Sequence, residues 1–372
     1  LEKSKGCCLR KIKNFDSTEI FKGVLFMKIK KYTVLLSAIL SVGILITGCS
    51  GAKTASTTGN TQASDSALPK EIRLGYFQSP NGELLAKGEK LLEKKFPGVS
   101  IKYVQFDVGR DVNAAMASGS IDIATIGTPP GTTGIVNDLP YKIYYLHDII
   151  GSSEALVAKN TSVIKSLADI KGKKIATPFG STSHYSLLAA LKQNNISEKD
   201  VTILDMSAQD IIAAWSRGEI DGAYIWQPAQ SKLVSDGGKV ILSSEDVAKG
   251  GAVTGEFGIV NNDFAAKYPD VVKAYIDILD EATKSYKTQS DDVVKALSQE
   301  LGLSVEDTKQ AMNQISVLDK SEQAQYIGTS DKQGKLPQIL KDTSDFLLTQ
   351  KAVTTSPDIE TFKKAVRNDL YN

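Results

Sequence analysis

From Glu71 onward the chain alternates two hydrophobic patterns. Runs such as EIRLGYFQS, VSIKYVQF, KKIATPFGS and VTILDM carry apolar residues in short blocks that read as strands. Between them, apolar residues recur three and four apart, which is helix spacing. The pattern predicts strand, helix, strand, helix, strand from Glu71 to Pro130. It predicts the same order again from Lys173 to Ala229. The match is clearest where Ala117-Ser118-Gly119-Ser120-Ile121-Asp122 aligns with Ser216-Arg217-Gly218-Glu219-Ile220-Asp221. Each Gly is placed to end a helix in left-handed geometry, and each Ile-Asp to start the next strand. A spacing of about one hundred residues is too long for a solenoid repeat and suits two similar lobes.

Strand–helix alternation implies an α/β fold, with a mainly parallel sheet flanked by helices in each lobe and right-handed crossovers. Ligands of such sheets sit beyond the carboxyl ends of the strands. Those ends carry Gln78 and Thr128 in the first copy, and Ser181, Thr182 and Trp226 in the second. Two facing loop sets make a cleft. Ser153-Glu154-Ala155-Leu156-Val157-Ala158 reads as a strand crossing out of the first lobe, and Glu256-Phe257-Gly258-Ile259-Val260 as a strand returning. The expected division is therefore 71–158 for the first lobe and 159–254 for the second. Residues 255–372 are the return strand and helices packed on the first lobe. Amphipathic patterns place those helices at 270–284, 290–301, 304–315 and 336–350.

The region before Glu71 has a different character. Lys28, Lys30 and Lys31 follow Met27, and an apolar run from Thr33 to Thr47 is shorter than the ~20 residues of a membrane span. The run ends at Ile46-Thr47-Gly48-Cys49. This resembles the lipobox of bacterial lipoproteins, which implies a signal peptide over 27–48 and a diacylated Cys49. Two acyl chains anchor a protein stably. Residues 1–26 then read as sequence upstream of the true start, and the small polar residues 49–70 as a flexible tether. Cys7 and Cys8 fall before the signal, so a mature protein has neither a disulfide nor a free thiol.

Charge adds an exclusion. With 44 basic and 43 acidic residues, the chain lacks the excess positive charge of a phosphate-neutralising nucleic-acid binder. His147 and His184 are its only histidines, and they are not at metal-ligand spacing. No phosphate loop, dinucleotide fingerprint or nucleophile elbow occurs. No metal, cofactor or enzymatic reaction is expected.

The candidate chemistry is concentrated at Ser181-Thr182-Ser183-His184. Hydroxyls and unpaired N–H groups at a helix start hold an anion readily, but the same residues make an ordinary N-cap. Trp226 is either core or a ligand wall at a strand end. Glu154 and Glu256 sit in apolar strand runs, where a carboxylate is unusual unless paired or functional. They neutralise a ligand cation, join a hinge salt bridge, or face solvent.

At PFGSTSHYSLLAAL, AAWSRGEIDGAYIWQPA and SSEALVAKN the chain resembles the taurine-binding proteins of bacterial ABC importers. These belong to a wider group of aliphatic-sulfonate, nitrate and thiamine-precursor binders. The resemblance runs from residue 71 to the C-terminus. It implies a two-lobed periplasmic-binding-protein fold of the second topological type. Ser181, Thr182, Ser183 and His184 are then expected to face a sulfonate, Trp226 to pack on the ligand, and Glu154 to belong to the family's Ser-Glu-Ala-Leu-Val strand. The expected partners are taurine or a related sulfonate and an ABC permease with its ATPase. The protein is expected to be a lipid-anchored monomer on the extracytoplasmic side. An aliphatic-sulfonate binder is the nearest alternative. A thiamine-pyrimidine-synthesis enzyme and a membrane-tethered sensor are alternatives of another class. In Thr254-Gly255-Glu256 the chain has Glu where the family has Asp, and the loop Ser79-Pro80-Asn81-Gly82 also departs from the family.

Overall fold

The computed structural model describes residues 68–371. The proposed signal, Cys49 and nearly all of the tether lie outside that range. Among the described residues, no helix is long and apolar enough to cross a membrane.

Two sheets form the frame. The strands are β1 (Glu71–Tyr76), β2 (Ser100–Gln105), β3 (Ile123–Gly127), β4 (Tyr141–Ile150), β5 (Glu154–Lys159), β6 (Lys174–Thr177), β7 (Thr202–Asp205), β8 (Gly222–Trp226), β9 (Gly238–Ser243), β10 (Gly255–Asn261) and β11 (Ile315–Val317). The first sheet has the order β11-β4-β10-β3-β1-β2, the second β7-β6-β8-β5-β9. Within the repeated units the order is the same. β1 lies between parallel β2 and β3, and β6 lies between parallel β7 and β8. The helix-ending glycines agree too, with φ of 66° at Gly119 and 73° at Gly218. A side chain there would be strained, so Gly allows the chain to leave a helix and enter the next strand at once.

Each parallel triplet is completed by antiparallel strands. β10 pairs with β3 and β4 in the first sheet, and β5 pairs with β8 and β9 in the second. The lobes thus exchange strands. β5 precedes the second repeat and joins its sheet, while β10 follows that repeat and returns to the first sheet. The first lobe therefore ends before Glu154, because β5, expected within 71–158, is hydrogen-bonded throughout to second-lobe strands.

The C-terminal helices pack chiefly on the first lobe. Val271, Tyr275 and Leu279 of the helix Pro269–Thr288 enter its core, as do Leu336 and Leu340 of the helix Leu336–Thr349. The latter helix does not stop there. Leu347 and the following Val353 join the core of the second lobe, and Phe346 meets Tyr185 edge-on with ring centroids 4.9 Å apart. A third link between the lobes, made by side chains, therefore joins the two backbone crossings.

Candidate functional site

The carboxyl ends of both triplets meet at a cleft enclosing about 190 Å³. Phe77, Phe106 and Trp226 supply aromatic walls. Gln78, Glu154, Ser181, Thr182, Gln227 and Glu256 supply polar groups. The repeat explains why two glutamates arrive together. Glu154 on β5 lies opposite Trp226 at the end of β8, and Glu256 on β10 lies opposite Gly127 at the end of β3. They occupy equivalent places in the two lobes. Each also lies near the start of the helix that follows its lobe's first strand.

The helix Thr182–Gln193 starts at Ser181, whose hydroxyl accepts the His184 N–H at 3.2 Å and donates to the Pro178 carbonyl at 2.6 Å. Thr182 and Ser186 stand one turn apart, on one face of the helix. Thr182 donates to Glu154 Oε2 at 2.5 Å, and Ser186 donates to Oε1 at 3.1 Å. Ser244 adds a further bond to Oε1 at 2.6 Å. Glu154 is fully buried, and burial raises its pKa while these hydroxyls oppose the rise. Its carboxyl is thus satisfied inside the second lobe.

A helix turns about 100° per residue, so four successive side chains cannot face one ligand. Ser183 points inward, fully buried, with no hydrogen-bond partner for its hydroxyl. His184 lies outside the cleft, in a neighbouring hollow with Tyr185, Leu188 and Phe346. It stacks flat on Phe179 at 4.3 Å, and burial pushes its pKa down to about 4. Neither is where the sequence placed it, on the sulfonate wall. Thr128 is a second correction. Its hydroxyl donates to the Gly255 carbonyl at 2.9 Å and accepts the Gly255 N–H at 3.0 Å, which ties the helix Thr128–Val136 to β10.

The first lobe holds the more unusual charge. Glu256 Oε2 accepts from Asn81 Nδ2 at 3.3 Å, and the same amide donates to Asp148 Oδ2 at 3.2 Å. Asp148 lies directly opposite Glu256 across the β4–β10 ladder and is fully buried. Its Oδ1 has no partner. Among the described residues, no Lys, Arg or His forms an ion pair with either acid. Burial pushes Glu256 up to about 7, helped by the charge of Glu154; burial and then Glu256 raise Asp148 well above the usual carboxylate range. Asp148 and Asn81 went unrecognised in the sequence. The available signal was an Asp inside the apolar run of β4, the same signal that picked out Glu154 and Glu256. Gln227 was also missed, although it directly follows Trp226 at a strand end. Among the described residues, Lys232, in the helix Ala229–Ser235, is the only basic one lining the cleft.

The lobes touch beside the cleft. Arg110 of the first reaches Asp205 of the second at 3.5 Å. A Cβ built on Gly127 would lie 2.8 Å from the Thr182 methyl. That methyl cannot rotate away without breaking the bond to Glu154. Gly127→Ala is therefore expected to hinder approach of the lobes. Overpacking of this kind costs about 1–3 kcal/mol, so ligand affinity should fall about tenfold with little change in the unliganded melting temperature. Titration calorimetry and thermal unfolding on one preparation would check this; unchanged affinity would show that the lobes need not close there.

Comparison with known proteins now bears on the cleft. A family model described as NMT1/THI5 like matches residues 95–292. The chain belongs to this family. The NMT1/THI5-like chain is 39% identical over 220 residues to a taurine-binding periplasmic protein of Escherichia coli, covering 59% of this chain and 68% of that protein. It is 27% identical over 336 residues to a putative aliphatic sulfonates-binding protein of Bacillus subtilis, covering 89% and 93%. Among solved structures, the alkanesulfonate-binding protein SsuA of Xanthomonas axonopodis pv. citri, bound to MOPS, superposes with a TM-score of 0.69 at 25% identity. The match covers 81% of this NMT1/THI5-like chain and 99% of that one. The fold is that of the periplasmic binding proteins, with one difference from the sequence expectation. Parallel strands form only the repeated triplets, and the exchanged strands make each sheet mixed.

Proposed function

We propose that this protein captures a small sulfonate bearing an ammonium group, taurine or a close aminoalkanesulfonate, and delivers it to an ABC importer. It is a binding protein and not an enzyme, as are the relatives it resembles. One observation carries the reading: the cleft holds a carboxyl pair, half-buried Glu256 and fully buried Asp148, with no basic side chain in an ion pair with either. A carboxylate in that position favours a cation. Across the cleft, the Thr182–Gln193 helix starts at Ser181 and Thr182, which line it, so its positive end and the first-turn N–H groups not taken by the Ser181 cap favour an anion there. A zwitterion with two carbons between its charges fits a cleft polarised in this way. Trp226, Phe77 and Phe106 cover the carbons.

Ser181 and Thr182 act through the backbone they position, because their hydroxyls are committed to Pro178 and Glu154. Gln78 lines the cleft while its amide donates to the Glu300 carbonyl at 2.7 Å, so it offers its own carbonyl to the ligand. A lipid on Cys49 would hold the protein at the extracytoplasmic membrane surface, as a monomer beside the permease. The aliphatic-sulfonate reading is favoured by the relatives that bear that name.

Titration calorimetry separates the two readings. Taurine should bind at least tenfold more tightly than ethanesulfonate. Tighter binding of ethanesulfonate would leave an alkanesulfonate binder and remove the ammonium from the site.

A further inference from the structure

The equivalence of the two lobes makes Asp148 conspicuous. Glu154 and Glu256 occupy matching positions, each on an antiparallel strand opposite the end of its lobe's third parallel strand. Beside Glu154, at the junction of β9 and the helix Ser244–Ala248, stands the hydroxyl of Ser244, a donor at 2.6 Å. Beside Glu256, on β4, stands the carboxyl of Asp148. Where the second lobe supplies a donor, the first supplies another acceptor. The donor count shows the result. Glu154 receives three hydroxyl bonds. Glu256 and Asp148 share the amide of Asn81, Ser79 adds one neutral donor to Glu256, and Asp148 Oδ1 receives nothing. Two neighbouring carboxylates, one fully buried and one half-buried, strongly disfavour double ionisation without a cation.

We propose that, in the empty cleft, Asp148 and Glu256 hold one proton between them, and that the ammonium of a bound ligand displaces this proton to solvent. Asp148 is thus a positioning residue for selectivity. The inference rests on the ammonium-bearing ligand proposed above. The site carries the same net charge before and after binding, since a proton leaves as an ammonium enters. A sulfonate without an ammonium leaves the proton in place. Among the described residues no basic side chain forms an ion pair with either acid, and the basic group lining the cleft, Lys232, belongs to a second-lobe helix. Glu154 faces Glu256 across the cleft, Glu83 feels it from the helix Gly82–Gly88, and Tyr286 of the helix Pro269–Thr288 faces Asp148. Ser79 and Asn81 add only neutral donors. The upward displacement of both carboxyls by burial and mutual repulsion agrees with one retained proton.

The test is calorimetric titration at pH 6 in buffers of low and high ionisation enthalpy, such as phosphate and Tris-type amines. The slope of observed heat against buffer enthalpy gives the protons released. Taurine should release close to one proton from the wild-type protein, and ethanesulfonate none. Asp148→Asn should release less than half as much with taurine. Asp148→Ser, which copies the second-lobe arrangement, should do the same, so the result does not hang on one variant. A merely structural Asp148 would change affinity without changing the proton number. Taurine binding with buffer-independent heat overturns the inference and leaves the ligand assignment standing. No taurine heat in any buffer overturns both.

Discussion

Replacing Glu256 with Gln should weaken taurine binding about 100-fold and leave ethanesulfonate affinity within about twofold. Removing one partner of a buried, hydrogen-bonded charge pair costs about 2–5 kcal/mol, and about 2.7 kcal/mol is a factor of about 100 in affinity. Gln keeps the shape and still accepts from Asn81, so β10 and its contact with β3 should persist. The two ligands differ in the ammonium, which makes their ratio the informative quantity. Equal losses for both would mean that Glu256 maintains the cleft without meeting a ligand cation. Taurine affinity that survives intact would move the cation to Glu154.

Near pH 5 the Glu83 carboxyl should contribute about 2–3 kcal/mol more stability to the ligand-free protein than near pH 8, while His147 and His184, kept neutral by burial, act the opposite way. Glu83 supplies a share that falls with pH. It is buried beneath the first sheet, where the Thr125 hydroxyl and the Tyr275 hydroxyl, the latter at 2.9 Å, donate to its carboxyl. Burial pushes it up to about 7, and burial pushes neighbouring His147 down to about 3. The two rest 3.8 Å apart as neutral groups over most of the range between those values. A carboxyl raised in the folded state is protonated there while ionised in the unfolded chain. Its contribution is full below the ordinary value of 4.5 and is lost as pH climbs to about 7. For one such group the loss is about 3 kcal/mol, and Glu256 acts in the same direction. Thermal unfolding of the wild type and of Glu83→Gln from pH 5 to pH 8 would isolate this share, since the histidines act equally in both. The wild type should lose stability relative to Glu83→Gln as pH rises; a difference that does not change with pH would show Glu83 to be ionised in the fold.

The features visible in the sequence were those set by local pattern. The doubled strand–helix order, the left-handed Gly119 and Gly218, the Ser181 cap and the odd carboxylates in apolar strands are each written within a few residues. What escaped depends on residues far apart in the chain. Asp148 gains meaning only when β10 brings Glu256 opposite it, and Asn81 only when its amide reaches both. The hydroxyl of Thr182 looked free for a ligand because Glu154, which takes it, lies 28 residues away. His184 was misplaced by reading a helix start as a linear string. β11 was missed because three residues leave little pattern, and the antiparallel half of each sheet because strand exchange has no local signature.

The link through the helix Leu336–Thr349 has a mechanical consequence. β5 and β10 belong to continuous backbone and can bend but not part, so they act as the pivot. Phe346 and Tyr185 touch only through their rings and can slide. Any rotation that widens the cleft must either carry this aromatic contact along or shear it. The hinge therefore carries friction: part of the resistance to opening is built into the chain and is present before any solute arrives.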